Sequence, residues 1–338
     1  MGTDESDVPV SLLAPFDRNR FTSAIRYLHT QFDCYAATCP EPLPAPGLIV
    51  TPEIRTQCER YLPIADITAI FNRLYAAALT YPPIFSSTPF HNAMSWADTF
   101  AALPKQFQRS ASPARLLETL LDDEQLLAMF LCISFLPARF YGSGRRYPAQ
   151  QEFVRSWLNM QNGKMLRCLD AACGTGEDTY GLALLLMEAG YSSDMMQVTG
   201  WTLEPLEVWA ATHRRLPHDR QRELQLRQDT SLLFEQGFGK CIHFDRIDLT
   251  ACCSDEHFGL ILCNGLLGGP IIHDPGQLAH VVSALACLLE PGGILLAANH
   301  FHGGWQQQCP QETLRALFHN KGLETFEAGE GIGGRMPL

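Results

Sequence analysis

The segment Leu169-Asp170-Ala171-Ala172-Cys173-Gly174-Thr175-Gly176-Glu177 constrains this chain more than any other stretch. It follows a short apolar run, Met165–Leu169, and opens a helical pattern that ends on Gly190. A strand that breaks at two closely spaced glycines and passes into a helix is the opening of a strand–helix–strand unit. Gly174 and Gly176 let the backbone turn sharply and approach a ligand closely. The ligand then faces the N–H groups of a helix N-terminus, which suit a carboxylate or a phosphate. A dinucleotide fingerprint would carry a third glycine at 179, where this chain has Thr179. Asp170 stands just before the loop, where an acid repels a pyrophosphate and pairs with an amino group. Methionine offers one amino group and one carboxylate, so the combination favours S-adenosylmethionine over NAD.

The surrounding pattern predicts an α/β fold. Past residue 150, short apolar strands are expected at Met165–Leu169, Met195–Trp201, Cys241–Phe244, Phe258–Cys263 and Ile294–Ala298. Between or after them fall helical patterns at Tyr180–Gly190, Glu207–Arg215, Gln277–Leu289 and Gln311–Asn320. Alternation of this kind argues for a parallel, Rossmann-like sheet with helices on both faces. Residues 1–150 read differently. Helices are expected at Arg20–Phe32, from Thr51-Pro52-Glu53, and at Ile67–Leu79, Ala93–Leu103 and Pro113–Leu136, with a proline-rich connector at Cys39–Pro46. The expected organisation is an all-α N-terminal domain, residues 1–150, serving as a lid or in acceptor recognition, then the sheet domain, residues 151–338.

Composition narrows the function classes. The chain has 338 residues, 46% apolar and 18% charged, as expected of a soluble globular protein. Its longest apolar run, Leu126–Leu136, contains Ser134 and is too short to span a bilayer. A net charge of −11 offers no broad nucleic-acid face. The one basic cluster, Arg214, Arg215, Arg220 and Arg222, reads as a solvated helix face. The N-terminus is acidic and polar rather than secretory, and Asp4 and Glu5 spoil the myristoylation pattern of Gly2 and Ser6. The twelve cysteines show no C-x-x-C spacing, so reduced thiols in a cytoplasmic protein are expected, and no metal site.

The central segment resembles motif I of class I methyltransferases. Its extended run, Ala171 through Ala183, is similar to the A-A-C-S-T-G-E-E-P-Y-S-L-A of the CheR-type chemotaxis glutamate methyltransferases. Further segments follow in the family's order: Thr199–Ala210, Ile242–Leu249, Phe258–Cys263 and Leu289–Leu295, so that the likeness covers roughly residues 138–300. It implies a class I methyltransferase fold and S-adenosylmethionine as cofactor. It also implies a ribose-binding acid at the end of the second strand, where this chain has Thr202, with Glu204 two residues on. Asp248 and Leu249 match the adenine-contact position. Phe140-Tyr141 and Arg145-Arg146 resemble the family's F-F-R stretch, whose arginine approaches the cofactor carboxylate. The family's C-R-N-x-x-x-Y reads Cys263-Asn264-Gly265-Leu266-Leu267-Gly268-Gly269 here, without its Arg and Tyr.

The expected cofactor residues are Asp170, Ala172, Gly174, Thr175, Gly176, Glu177, Thr202, Glu204, Asp248, Leu249, Asn264 and Gly265. Asp248 equally suits a helix cap and Asn264-Gly265 a plain turn. His300, His302 and His273 follow strands at the edge where ligands bind in open α/β sheets, and are the candidate bases. The expected activity is methyl transfer to a carboxylate or hydroxyl of a small-molecule or protein acceptor. Two alternatives stand beside it, a chemotaxis-receptor glutamate O-methyltransferase and a non-catalytic protein that binds S-adenosylmethionine or S-adenosylhomocysteine. The sequence leaves the oligomeric state open.

Overall fold

The computed structural model describes residues 13–85, 88–136, 147–161, 163–251, 254–269, 271–298 and 303–338. The chain divides into two compact units, Met1–Ala138 and Arg139–Leu338. The first is helical: α1 (Thr22–Thr38), α2 (Pro52–Tyr61), α3 (Ile64–Ala78), α4 (Trp96–Ala102), α5 (Pro113–Asp122) and α6 (Glu124–Phe135). Thr51 caps α2 and Pro52 opens it, as the sequence predicts. The apolar pattern Pro113–Leu136, read as one helix, is two. Asp123 adopts an extended backbone and its side chain accepts from Leu126 N, which ends α5 and starts α6. The core of this unit is aromatic, with Phe71, Tyr75, Phe90 and Phe130 in mutual contact. The buried Tyr75 and Ser134 hydroxyls satisfy each other at 2.8 Å, which explains a serine inside the apolar run.

The second unit is built on one seven-stranded sheet. Its elements are α7 (Pro148–Leu158), β1 (Leu166–Asp170), α8 (Glu177–Glu188), β2 (Met196–Thr202), α9 (Pro205–His213), α10 (Arg220–Asp229), α11 (Ser231–Glu235), β3 (Ile242–Arg246), β4 (Phe258–Leu262), α12 (Pro275–Cys287), β5 (Leu289–Ala298), α13 (Gly303–Gln308), α14 (Gln311–Asn320), β6 (Glu324–Glu327) and β7 (Gly331–Arg335). Helix α7 crosses residue 150, and Glu330, just before β7, accepts the N–H groups of Ala149 and Gln150 in its first turn.

The strand order is β3-β2-β1-β4-β5-β7-β6. β1 to β5 pair in parallel, whereas β7 pairs antiparallel with both β5 and β6. The sheet is therefore mixed rather than all parallel. β6 and β7 carry little apolar alternation, since β7 reads Gly331-Ile332-Gly333-Gly334-Arg335, and this hid them from a pattern search.

Each central strand feeds two cores. Cys168, Val198, Leu260, Leu262, Ile294 and Leu296 pack with α7 and α8, while Leu169, Trp201, Ile261, Leu295 and Ala297 pack with α12 and α14. Burial on both faces is why these strands read as continuous apolar runs. The order reverses beside β1, with β2 on one side and β4 on the other. Ligands of open α/β sheets bind in the crevice at such a switch point, beyond the strand C-termini.

Candidate functional site

The switch-point crevice is lined first by the glycine loop. Asp170 ends β1 and is only 2% exposed. Its Oδ2 accepts from the buried Thr179 hydroxyl at 2.7 Å. Thr179, the residue that spoils the dinucleotide pattern, thus reaches back from α8 to hold the acid in place. The loop is tied to both neighbouring strands, Ala171 N donating to Leu262 O and Cys173 N to Trp201 O. Gly174 has φ +52° and Gly176 φ +86°, the left-handed region that glycine adopts without strain. A Cβ on Gly176 would lie 2.9 Å from Ala211 Cβ and 3.0 Å from the Phe244 ring, so that side of the loop is packed shut. At Gly174 a Cβ would meet nothing closer than Glu207 Oε1, at 3.8 Å. The loop at Gly174 therefore lies in loose contact with Glu207, without the tight packing found at Gly176.

Gly176 caps α8, and Glu177 and Asp178 occupy its first turn, where the helix dipole favours negative charge. Thr175 Oγ1 donates to Glu177 Oε2 at 2.5 Å. Arg222 reaches in from α10, its Nε donating to Glu177 Oε1 and its Nη2 to Thr175 Oγ1, both at 2.6 Å. This corrects the reading of the basic cluster as a solvated face. Only Arg220 is plainly exposed. Arg214 lies 3.6 Å from the Phe234 ring centroid, Arg215 pairs with Glu223, and Arg222 braces motif I. The sequence marked only that Arg222 follows the N-cap Asp219 in the first turn of α10; its partners Glu177 and Thr175 lie on a distant element and left no local signal.

The end of β2 holds three polar groups. Thr202 Oγ1 donates to Glu207 Oε2 and accepts from Glu204 N at 3.3 Å. Glu204 is buried and caps α9, its Oε1 accepting from Leu206 N at 3.1 Å. Burial pushes Glu207 up to about 7, and the nearby Glu204 and Glu177 carboxylates push the same way. Thr202 and Arg222 oppose this only in part. Cys173 lies in the loop among Asp170, Glu207 and Glu177; burial first, then these acids, hold its thiol well above the ordinary range, so it is no thiolate nucleophile.

Other expected residues are placed as follows. Ala172 N donates to Asp170 Oδ1 at 3.4 Å. Asp248, after β3, is exposed and accepts from both the N–H and the hydroxyl of Thr250, a local turn rather than the helix cap weighed for it. Leu249 is buried in the α12 core. Asn264 follows β4 and makes a reciprocal amide pair with the buried Gln150 of α7, at 2.7 and 3.1 Å, while accepting from Ala298 N. Gly265 has φ +69° and donates to Ala298 O. Gln150 carried no signal in the sequence, because its partner lies on another element. His273 is exposed, just before Asp274, the N-cap of α12. His300, His302, Phe140-Tyr141 and Arg145-Arg146 lie outside the described residues. Among the described residues, no cluster of His, Cys, Asp and Glu is arranged to hold a metal ion, and no helix is long and apolar enough to cross a membrane.

Comparison with known proteins agrees with this geometry. Residues 138–300 match the CheR methyltransferase, SAM binding domain. A chemotaxis protein methyltransferase of Listeria innocua is 27% identical over 199 residues, covering 56% of this chain and 71% of that protein. A chemotaxis protein methyltransferase of Listeria monocytogenes is 27% identical over 195 residues, covering 55% of this chain and 71% of that protein. Among solved structures, the N-methyltransferase NodS from Bradyrhizobium japonicum in complex with S-adenosyl-L-homocysteine covers 62% of this chain and 97% of its own, at 16% identity and a TM-score of 0.41. The chain is an S-adenosylmethionine-dependent methyltransferase with a Rossmann-like sheet. Its motif I and the strands that follow resemble those of the CheR-type methyltransferases, and its cofactor is S-adenosylmethionine.

Proposed function

We propose that the protein transfers a methyl group to a carboxylate or hydroxyl of a small-molecule or protein acceptor other than a chemoreceptor glutamate. The observation that carries this reading is the stretch after β4. There the family's Arg and Tyr are replaced by Asn264 and Gly269, and Asn264 is committed to Gln150 and Ala298. Neither an acidic peptide nor an aromatic-guided acceptor finds its expected partner at this edge.

When bound, the cofactor would supply a sulfonium methyl carbon open to in-line attack by an acceptor lone pair, with S-adenosylhomocysteine as the leaving group. The protein's part is orientation and exclusion of water. Asp170, fixed by Thr179, would pair with the amino group of the methionine moiety. Gly174 leaves its side of the loop without tight packing, and the α8 N-terminus, with Glu177 neutralised by Arg222, favours the methionine carboxylate. A carboxylate acceptor is already a nucleophile at neutral pH. A hydroxyl acceptor needs a base, for which His273, His300 and His302 are the candidates. The helical N-terminal unit is assigned to acceptor recognition.

The test is incubation of the full chain with methyl-labelled S-adenosylmethionine and fractionated cell extract. Label in small molecules, or in a protein other than a chemoreceptor, supports the proposal. Base-labile label on a chemoreceptor, released as methanol, overturns it in favour of the second reading, receptor glutamate methylation, which the CheR match and the Listeria relatives favour. Binding of S-adenosylhomocysteine with no labelled product in any fraction overturns both and leaves a non-catalytic binding protein.

A further inference from the structure

We propose that Glu207, positioned by Thr202, is the carboxylate that receives the ribose hydroxyls of the bound nucleoside, in place of an acid at the end of β2. The inference rests on the S-adenosylmethionine reading of the crevice. In sheets of this kind an acid after the second strand hydrogen-bonds the ribose. A vicinal diol presents two O–H donors and is best received by a carboxylate, which has acceptor capacity on both oxygens.

Three residues compete for the task here. Thr202 ends β2, and its one proton is already given to Glu207. Glu204 directs Oε1 back onto the α9 backbone as its cap. Glu207 lies one turn into α9, with Oε2 held by Thr202 and Oε1 3.8 Å from the Cβ position of Gly174, against the side of the glycine turn that is not tightly packed. It is the carboxylate directed at the glycine turn from the β2 side. The charged groups that face it are Glu204 on its own helix, Glu177 at the start of α8 and Arg222 from α10. Two acids against one arginine leave excess negative potential on a half-buried carboxylate, a site made for neutral hydroxyl donors rather than for another anion.

The experiment measures binding of S-adenosylhomocysteine and of its 2′,3′-dideoxyribose analogue to the full-length protein at pH 8. Glu207→Gln keeps the shape and the bond from Thr202 but replaces one acceptor oxygen by a donor. It is expected to weaken S-adenosylhomocysteine binding roughly ten- to a hundredfold, the loss typical of a charged hydrogen bond, while the dideoxy analogue changes by no more than about twofold. Thr202→Val should weaken S-adenosylhomocysteine selectively in the same direction, and Thr202→Ser should restore it. Unchanged S-adenosylhomocysteine binding by Glu207→Gln, or equal loss of both ligands, overturns the assignment while leaving the cofactor reading intact. A wild-type protein that binds neither ligand overturns the cofactor reading together with it.

Discussion

At the scale of single residues, the site depends on acids held in chosen states. Asp170 is buried at a strand end and accepts from the Thr179 hydroxyl. Asp170→Asn preserves that contact and removes the charge. It should lower S-adenosylhomocysteine affinity by about tenfold or more, read by calorimetry, with little change in thermal stability. Asp170→Ala should in addition cost about 1–3 kcal/mol, because the buried Thr179 hydroxyl loses its acceptor. If both variants bind like wild type, the amino-group role of Asp170 is wrong. Glu207 makes a second prediction with a definite sign. Its ordinary value of 4.5 rises to about 7 in the fold, so the folded state holds the proton more tightly than the unfolded state. The stability tied to this group is full below about 4.5 and is lost as pH rises through about 7. Glu207→Gln escapes that loss. Its stability relative to wild type should grow between those two pH values, reaching on the order of 1–3 kcal/mol above pH 7 by denaturant titration. A difference that is flat with pH would remove the burial argument. A variant that gains stability but loses nucleoside affinity marks a residue kept for binding.

At the scale of elements, most boundaries follow local chemistry. Thr51-Pro52 opens α2 and Gln311–Asn320 is helical over the span expected. Other boundaries follow context. Helix α12 stops at Cys287, and the strand begins at Leu289 rather than Ile294, because Leu289 already pairs with Phe258, and Pro291-Gly292-Gly293 fall in the irregularity between that pair and Leu260–Ile294. The two glycines flanking α8 separate conformation from packing. Gly176 and Gly190 have nearly the same φ, +86° and +87°, but only Gly176 has neighbours where a Cβ would go. Gly190→Ala should cost only the left-handed strain, about 1–2 kcal/mol. Gly176→Ala should cost that and the overlap with Ala211 and Phe244, about 2–5 kcal/mol together. Equal costs in a denaturant titration would show that the loop is not packed against α9 and β3.

At the scale of the whole second unit, the C-terminal strands close what the parallel sheet leaves open. β7 covers the outer edge of β5, which would otherwise present unpaired backbone. The approach is so close that a Cβ on Gly331 would fall 2.0 Å from Ala297 O, whereas one on Gly322 would meet nothing. Gly331→Ala should force β7 off β5, cost more than about 3 kcal/mol and raise aggregation, while Gly322→Ala should cost only about 1–2 kcal/mol. Light scattering on heating distinguishes the two. Similar behaviour of both variants would mean that β7 does not seal the edge.

The glycine turn, its acid and the alternating strands were legible in the sequence because each rests on local chemistry: backbone freedom at Gly174 and Gly176, a charge at Asp170, apolar runs at β1, β2 and β4. These local features determined the fold class and the cofactor. Tertiary structure alone decided that Thr179 holds Asp170, that Arg222 crosses from α10 to brace Glu177, that Asn264 is bound to Gln150, and that Glu207 rather than Glu204 faces the loop. Each is a contact between residues far apart in the chain or turned by a helix, and a polar side chain carries no mark in sequence of which partner satisfies it.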